Sequence, residues 1–229
     1  MSKSIGIVDI TTVGSTICQL AIVEKSAEVA NENLQPEFIV HSQPLHRYLQ
    51  GLETDGWDKV ADVALTSIDS LSKAGADFAI IPNNTAHYAF DKIQAHSTLP
   101  LLNLIDIAVE ECALKQYKRV AVLGTSLTMQ NGLYDTTLQN EGIIPVIPQD
   151  PLCNQINDLI FNELVPQKNK PQTVAALISE LKNVKCDAYL LACTELPLVL
   201  NEHNLGPCIN TTKLLGYKAV EFATNKTGL

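Results

Sequence analysis

The chain has 229 residues, of which 46% are hydrophobic and 18% charged, and a net charge of −9. That is enough for one large or two small domains with a real core, and the acidic balance argues against a nucleic-acid partner, because phosphate binding needs clustered Lys and Arg. No run approaches the roughly 20 apolar residues of a membrane span, and no apolar segment follows the first residues as a secretory signal requires, so a cytoplasmic protein without a membrane partner is expected.

Apolar and amphipathic segments then alternate. Ser4–Val8 reads as a buried strand running into Asp9, and Glu37–His41 as a second extended segment. Trp57–Lys73 places Val60, Val63, Ala64, Ile68 and Leu71 at helical spacing, with Gly75 to stop it, and predicts a helix. Phe78–Pro82 predicts a buried strand, Leu101–Leu102 a very short one, Ala108–Leu114 a helix and Arg119–Leu123 a strand. One helix is expected over Ser126–Asn140, ended by Gly142. Ile143–Ile147 as a strand, Asn154–Leu164 and Thr173–Asn183 as helices, Ala188–Ala192 as a buried strand, a short strand from Ile209 and a closing helix Thr212–Ala223 complete the series. Such alternation implies βαβ units, hence an α/β fold with mainly parallel sheets flanked by helices. Reacting groups in such folds gather at the carboxyl ends of strands.

An internal repeat sharpens this. Asp77–His87 (DFAIIPNNTAH) parallels Asp187–Pro197 (DAYLLACTELP), and Ser4–Thr12 parallels Arg119–Thr128 at nearly the same offset. Two pseudosymmetric lobes facing a cleft are therefore expected, the first from residues 1–103 with 208–229 and the second from 104–207.

The six cysteines include no CxxC pair, and a chain this long and apolar needs no disulfide staples, so free thiols are expected. Cys193 stands out. It follows a continuous apolar strand and precedes Thr194 and Glu195. A thiol at a strand-to-helix junction meets backbone N–H groups and a positive helix end, which should favour the thiolate. Its counterpart in the repeat is Asn83-Asn84-Thr85-Ala86-His87, a run of hydrogen-bonding side chains suited to a carboxylate or phosphate.

These segments resemble the aspartate/glutamate racemase family. "LACTELPLVL" (Leu191–Leu200) is similar to its Cys-Thr-Glu motif, "NNTAH" to its Cys-Asn-Thr-Ala-His motif, and "VAVLGTSLTMQNGLY" (Val120–Tyr134) to its Gly-Thr…Thr-Met segment. The resemblance implies racemisation of acidic amino acids without cofactor or metal, two cysteines serving the two faces of the α-carbon. It implies Cys193 as one acid/base, with Asn84, Thr85 and Thr194 holding the α-carboxylate and Thr125 and Thr128 lining the site. Arg47 is a candidate partner of the side-chain carboxylate, since Arg binds carboxylates bidentately, with a plain surface arginine as the competing reading. Asp9, Glu195 and His87 complete the expected substrate-binding set, and a homodimer is implied by the family alone.

The chain departs from this pattern at the first thiol, which is Asn83, and asparagine is no proton shuttle near neutral pH. Asn210 stands where the pattern has Asp, and Asp9 resembles the aspartate after the first strand of glutamate racemases. The expected function is thus a racemase-like isomerase with one thiol, its second proton coming from water, His87 or Asp9. The alternatives are a single-cysteine decarboxylase of malonate type and a non-catalytic binder of acidic amino acids.

Overall fold

The computed structural model describes residues 2–29, 35–54 and 56–224. They form two compact units: the described residues of Met1–Ile107 with Thr212–Leu229, and Ala108–Thr211.

The first unit holds four strands, β1 (Ile5–Asp9), β2 (Phe38–Ser42), β3 (Phe78–Ile80) and β4 (Leu101–Leu102), in a wholly parallel sheet of order β2-β1-β3-β4. Its helices are α1 (Thr12–Val29), α2 (Leu45–Thr54), α3 (Trp57–Lys73), α4 (Phe90–His96) and, at the chain's end, α10 (Thr211–Thr224). α5 (Leu104–Leu114) carries the chain out of this unit. The second unit holds β5 (Arg119–Leu123), β6 (Ile144–Val146), β7 (Ala188–Leu191) and β8 (Cys208–Asn210), parallel and in the order β6-β5-β7-β8. Around them lie α6 (Ser126–Gln130), α7 (Asp135–Asn140), α8 (Leu152–Leu159) and α9 (Pro171–Leu181). The fold is α/β, with two parallel four-stranded sheets flanked by helices.

The two sheets use the same strand order, and the repeat extends to the hydrogen bonds that start them. In the first, the Asp77 carboxylate accepts the Ser4 N–H at 2.7 Å, and Asp77 N–H is given to the Ser4 carbonyl. In the second, the Asp187 carboxylate accepts the N–H groups of Lys118 and Arg119 at 2.7 and 2.8 Å, and Asp187 N–H is given to the Arg119 carbonyl. Each aspartate thus ties the entry of one central strand to its neighbour. Asn83 and Cys193 stand the same distance along the chain beyond these two residues.

Each sheet buries its strands between helices. Ile5, Ile7, Phe78 and Ile80 are fully enclosed in the first unit, and Val120, Ala121, Leu123 and Leu190 in the second. Burying a side chain of the Val, Leu, Ile or Phe class contributes about 1.5–3 kcal/mol, so these short strands are held by their cores more than by their length.

Three expectations about elements need correction. The helix expected over Ser126–Asn140 breaks into α6 and α7, because Gly132 takes a left-handed conformation (φ 68°) between them. The helix expected over Asn154–Leu164 starts earlier as α8, and its last turn, Ile160–Leu164, widens to π geometry. Helices α1, α2 and α4 were not anticipated. Among the described residues no helix is long and apolar enough to cross a membrane.

Candidate active site

In the first unit, Asp9 closes β1 and Asn83 follows β3, the strand paired beside it. Asn83 is a structural cap. Its Oδ1 accepts the Ala86 N–H at 2.9 Å, which starts the 3-10 turn Thr85–Ala89, and accepts the Tyr48 hydroxyl at 3.3 Å. The Thr85 hydroxyl bonds Tyr48 as well, and burial raises the Tyr48 phenol well above its usual range. Tyr48 is the site residue that reading the sequence missed. The signal was its helical spacing with Gly51 and Leu52, which also turn inward on α2. Gly51 lets α2 lie against α3, since a Cβ there would stand 3.2 Å from the Val60 backbone nitrogen.

Arg47 precedes Tyr48 on α2 and is exposed. Its guanidinium donates to Gln43 Oε1 at 3.3 Å, and Gln43 is anchored by donating to the Val63 carbonyl and the Ser67 hydroxyl. The cation is therefore steered by a polar chain from α3, on the helix that contacts Asn83.

His87 does not fit the role of proton donor. Nδ1 donates to the Asn83 carbonyl at 2.9 Å, while Nε2 accepts the Leu104 N–H at 3.2 Å, which fixes the neutral tautomer. Burial lowers its pKa to about 4, and the ring stacks on Phe90 with centroids 5.1 Å apart. Both nitrogens are engaged, so His87 braces the turn after β3 against the start of α5. Asn84 is buried in the same turn, its carbonyl accepting the His87 N–H.

Asp9 is the opposite case. It is 7% exposed, yet among the described residues its Oδ1 has no hydrogen-bond partner, and neither has the buried hydroxyl of Thr11 two residues on. An unpaired buried polar atom costs about 1–3 kcal/mol, and these two oxygens carry that cost together with the Ser4 hydroxyl.

In the second unit, Cys193 follows β7. It is the cysteine that stands at a strand's carboxyl end. Cys18, Cys112 and Cys153 lie in helices, while Cys186 and Cys208 stand where β7 and β8 begin; all six are free. The Cys193 thiol donates to Glu195 Oε2 at 3.1 Å, and the Thr194 hydroxyl donates to the same oxygen at 2.6 Å. Both Cys193 and Glu195 are buried. Burial pushes the thiol well above its ordinary value and the Glu195 carboxylate adds to the push, while the backbone N–H groups of Glu195 and Leu196 oppose it. The expected acidification does not occur, because the element that follows is a single 3-10 turn, Leu196–Leu198, and a carboxylate lies against the sulfur.

The Thr194 hydroxyl is likewise committed to Glu195 and has no second hydrogen for a substrate carboxylate. Thr125 and Thr128 are bound to each other. Thr125 caps α6 by accepting the Thr128 N–H at 3.3 Å, and the two hydroxyls are 3.2 Å apart. Gly124 brings this cap close to Cys193, since a Cβ there would meet the Ala192 carbonyl oxygen at 3.0 Å and Thr128 Cβ at 3.1 Å. Among the described residues no group of three or more His, Cys, Asp or Glu is placed to hold a metal ion.

The duplicated sheets and the thiol closing a central strand define an α/β fold shared with solved racemase structures. An aspartate racemase homologue from Pyrococcus horikoshii is 28% identical, covers 97% of this chain and all of its own, and superposes with a TM-score of 0.83. Glutamate racemase from Aquifex pyrophilus has the same fold at 22% identity, covering 96% of this chain and 83% of its own, with a TM-score of 0.67. In sequence, a broad specificity amino-acid racemase from Bacillus subtilis is 28% identical over 181 residues, 78% of this chain and 77% of its own. Asp/Glu/hydantoin racemase is the family that matches residues 7–215, and the chain belongs to it. It is a family of isomerases.

Proposed function

We propose that the protein exchanges the α-proton of an acidic amino acid through a single thiol, Cys193, with Asn83 in place of the second thiol of the family pattern. The observation that carries this reading is the placement of Cys193: buried at the end of β7, its hydrogen on Glu195, and two backbone N–H groups at the sulfur that favour the thiolate when it forms. Aspartate and glutamate are the substrates of choice because relatives are named aspartate and glutamate racemases and because Arg47 offers a steered cation for a side-chain carboxylate. The unpartnered oxygens of Asp9 and Thr11 suit the substrate ammonium. Asn83 has given its acceptor to a turn and has no ionisable proton, so α-proton exchange is one-sided or the racemisation weak. With His87 locked neutral, water is left as the source of the second proton.

The test is proton NMR of L- and D-aspartate and L- and D-glutamate in heavy water. One enantiomer, the L form by family analogy, is expected to exchange its α-proton faster than the other. Cys193→Ala should lose about a hundredfold or more, the scale of a proton-transfer group. No exchange with any of the four, alongside ligand-dependent thermal stabilisation, would replace this reading with that of a binding protein.

A further inference from the structure

We propose that Gln43 sets the preference of this site for an acidic over an amide side chain, by holding Arg47 in place for a carboxylate. The inference rests on the reading of Arg47 as the partner of a side-chain carboxylate and adds the residue that decides how well Arg47 plays that part. Gln43 lies between the end of β2 at Ser42 and the start of α2 at Leu45. Its amide has a donor end and an acceptor end, and the two are not interchangeable here. Nε2 carries two hydrogens, and α3 takes both: one goes to the Val63 carbonyl at 2.8 Å and the other to the Ser67 hydroxyl at 2.9 Å. A flipped amide would set Oε1 against the Val63 carbonyl, oxygen on oxygen. Oε1 therefore faces away from α3, where it accepts a hydrogen bond from Arg47 Nη1 at 3.3 Å. Ser67 is buried, and its hydroxyl also meets His41 Nδ1 on β2 at 3.1 Å, so the anchor is itself fixed by two elements.

The residue type matters for charge as well as for geometry. Among the described residues no carboxylate pairs with Arg47. A carboxylate at position 43 would be a permanent counter-ion and would compete with the ligand. The neutral amide accepts one N–H of the guanidinium and leaves the charge and the remaining N–H groups to whatever binds. A long, exposed side chain loses conformational freedom when it grips a ligand, and a side chain ordered beforehand loses less. That gain goes to a planar carboxylate, which accepts from the fork with both oxygens, and not to a carboxamide, whose NH2 faces the fork with hydrogens of its own. Gln43 is thus a positioning residue that acts through Arg47.

The experiment compares L-aspartate with L-asparagine, first as ligands of the full chain in titration calorimetry and then as substrates in heavy water. Wild type should bind aspartate about tenfold more tightly than asparagine. Gln43→Met, which keeps the length and removes both ends of the amide, should weaken aspartate about three- to tenfold, the effect of having to order one long side chain on binding, and leave asparagine within about twofold. Ser67→Ala, which removes one anchor of the amide and no contact of Arg47, should weaken aspartate about twofold and serves if Gln43→Met does not fold. In an Arg47→Ala background, Gln43→Met should change neither affinity. In turnover, Gln43→Met should raise KM for aspartate by the factor seen in binding and keep kcat within about twofold, because the residue acts on the ligand's side chain and not at its α-carbon. Equal affinity of wild type for the two ligands, or binding of neither, would overturn the proposal. So would an equal loss for both ligands in Gln43→Met, the mark of a merely structural role, or a loss that persists undiminished without Arg47. Binding that discriminates as expected, with no α-proton exchange in any amino acid, would leave Gln43 and Arg47 standing and the proposed function fallen.

Discussion

Asn83 performs a task that cysteine performs poorly. Its side-chain oxygen closes the turn into Thr85–Ala89 by accepting the Ala86 N–H, and it also holds Tyr48. Losing a side-chain cap of this kind costs about 1 kcal/mol. Asn83→Cys is therefore expected to lower stability by that amount in urea denaturation, while Asn83→Asp, which keeps the acceptor, should change it far less. Equal losses in the two variants would show that the cap carries no weight. The cysteine variant also restores the thiol that the family pattern has at this position, so it should add α-proton exchange of the slower enantiomer in heavy water. A variant that loses stability and gains exchange would show that the present residue trades a thiol for a better-formed turn.

At the scale of elements, Gly124 links β5 to the thiol. It lies between the Ala192 carbonyl oxygen and the Thr128 side chain, and both contacts are too close for a methyl group. Gly124→Ala should destabilise by about 1–3 kcal/mol, as overpacking in a tight interior does, and should slow Cys193 alkylation by shifting the segment that carries it. An unchanged denaturation midpoint would show that the backbone yields freely there. The strands and α3 were legible in sequence because their buried faces are large and apolar: β5 begins and ends where RVAVL does, and α3 spans Trp57–Lys73 as its spacing predicts. α1 was illegible for the converse reason. Its buried face is Gly14, Ser15, Cys18, Ala21, Ile22 and Ser26, small residues but for one isoleucine, while Leu20 and Val23 point outward. Small residues are needed because α10 approaches so closely at Gly216 that a Cβ there would lie 2.8 Å from Ala21 Cβ. A stripe of small side chains with a single large apolar residue carries little hydropathy signal. In the site, sequence position located Cys193, Asn83 and Asp9 at strand ends, but not which groups hydrogen-bond to one another. That Glu195 bonds the thiol, that Thr125 and Thr128 bond each other and that His87 has no free nitrogen follow from turns whose geometry no residue pattern encodes.

At the scale of the whole molecule, the buried neutral His87 makes stability depend on pH in a definite direction. The folded protein holds its pKa at about 4, below the ordinary 6.5, because burial penalises the cation. The unfolded chain therefore binds the proton first as pH falls. Stability from this group is complete above about pH 6.5 and is lost progressively down to about pH 4, where the loss levels off at roughly 3 kcal/mol. Other groups add to the acid response: Asp106, raised from 3.8, favours the folded state as acid is added, whereas Glu24, Glu163 and Asp187, lowered from 4.5, 4.5 and 3.8, lose their contribution only in stronger acid. The diagnostic is thus a difference between proteins rather than one curve. Urea denaturation of wild type and His87→Gln at pH 7 and pH 4.5 should show the variant weaker than wild type at pH 7, having lost the brace between Asn83 and Leu104. Its further loss on acidification should be smaller by about 2–3 kcal/mol. Equal acid losses in the two proteins would mean that His87 takes up its proton without unfolding the turn, and would return it to the set of groups able to serve the reaction.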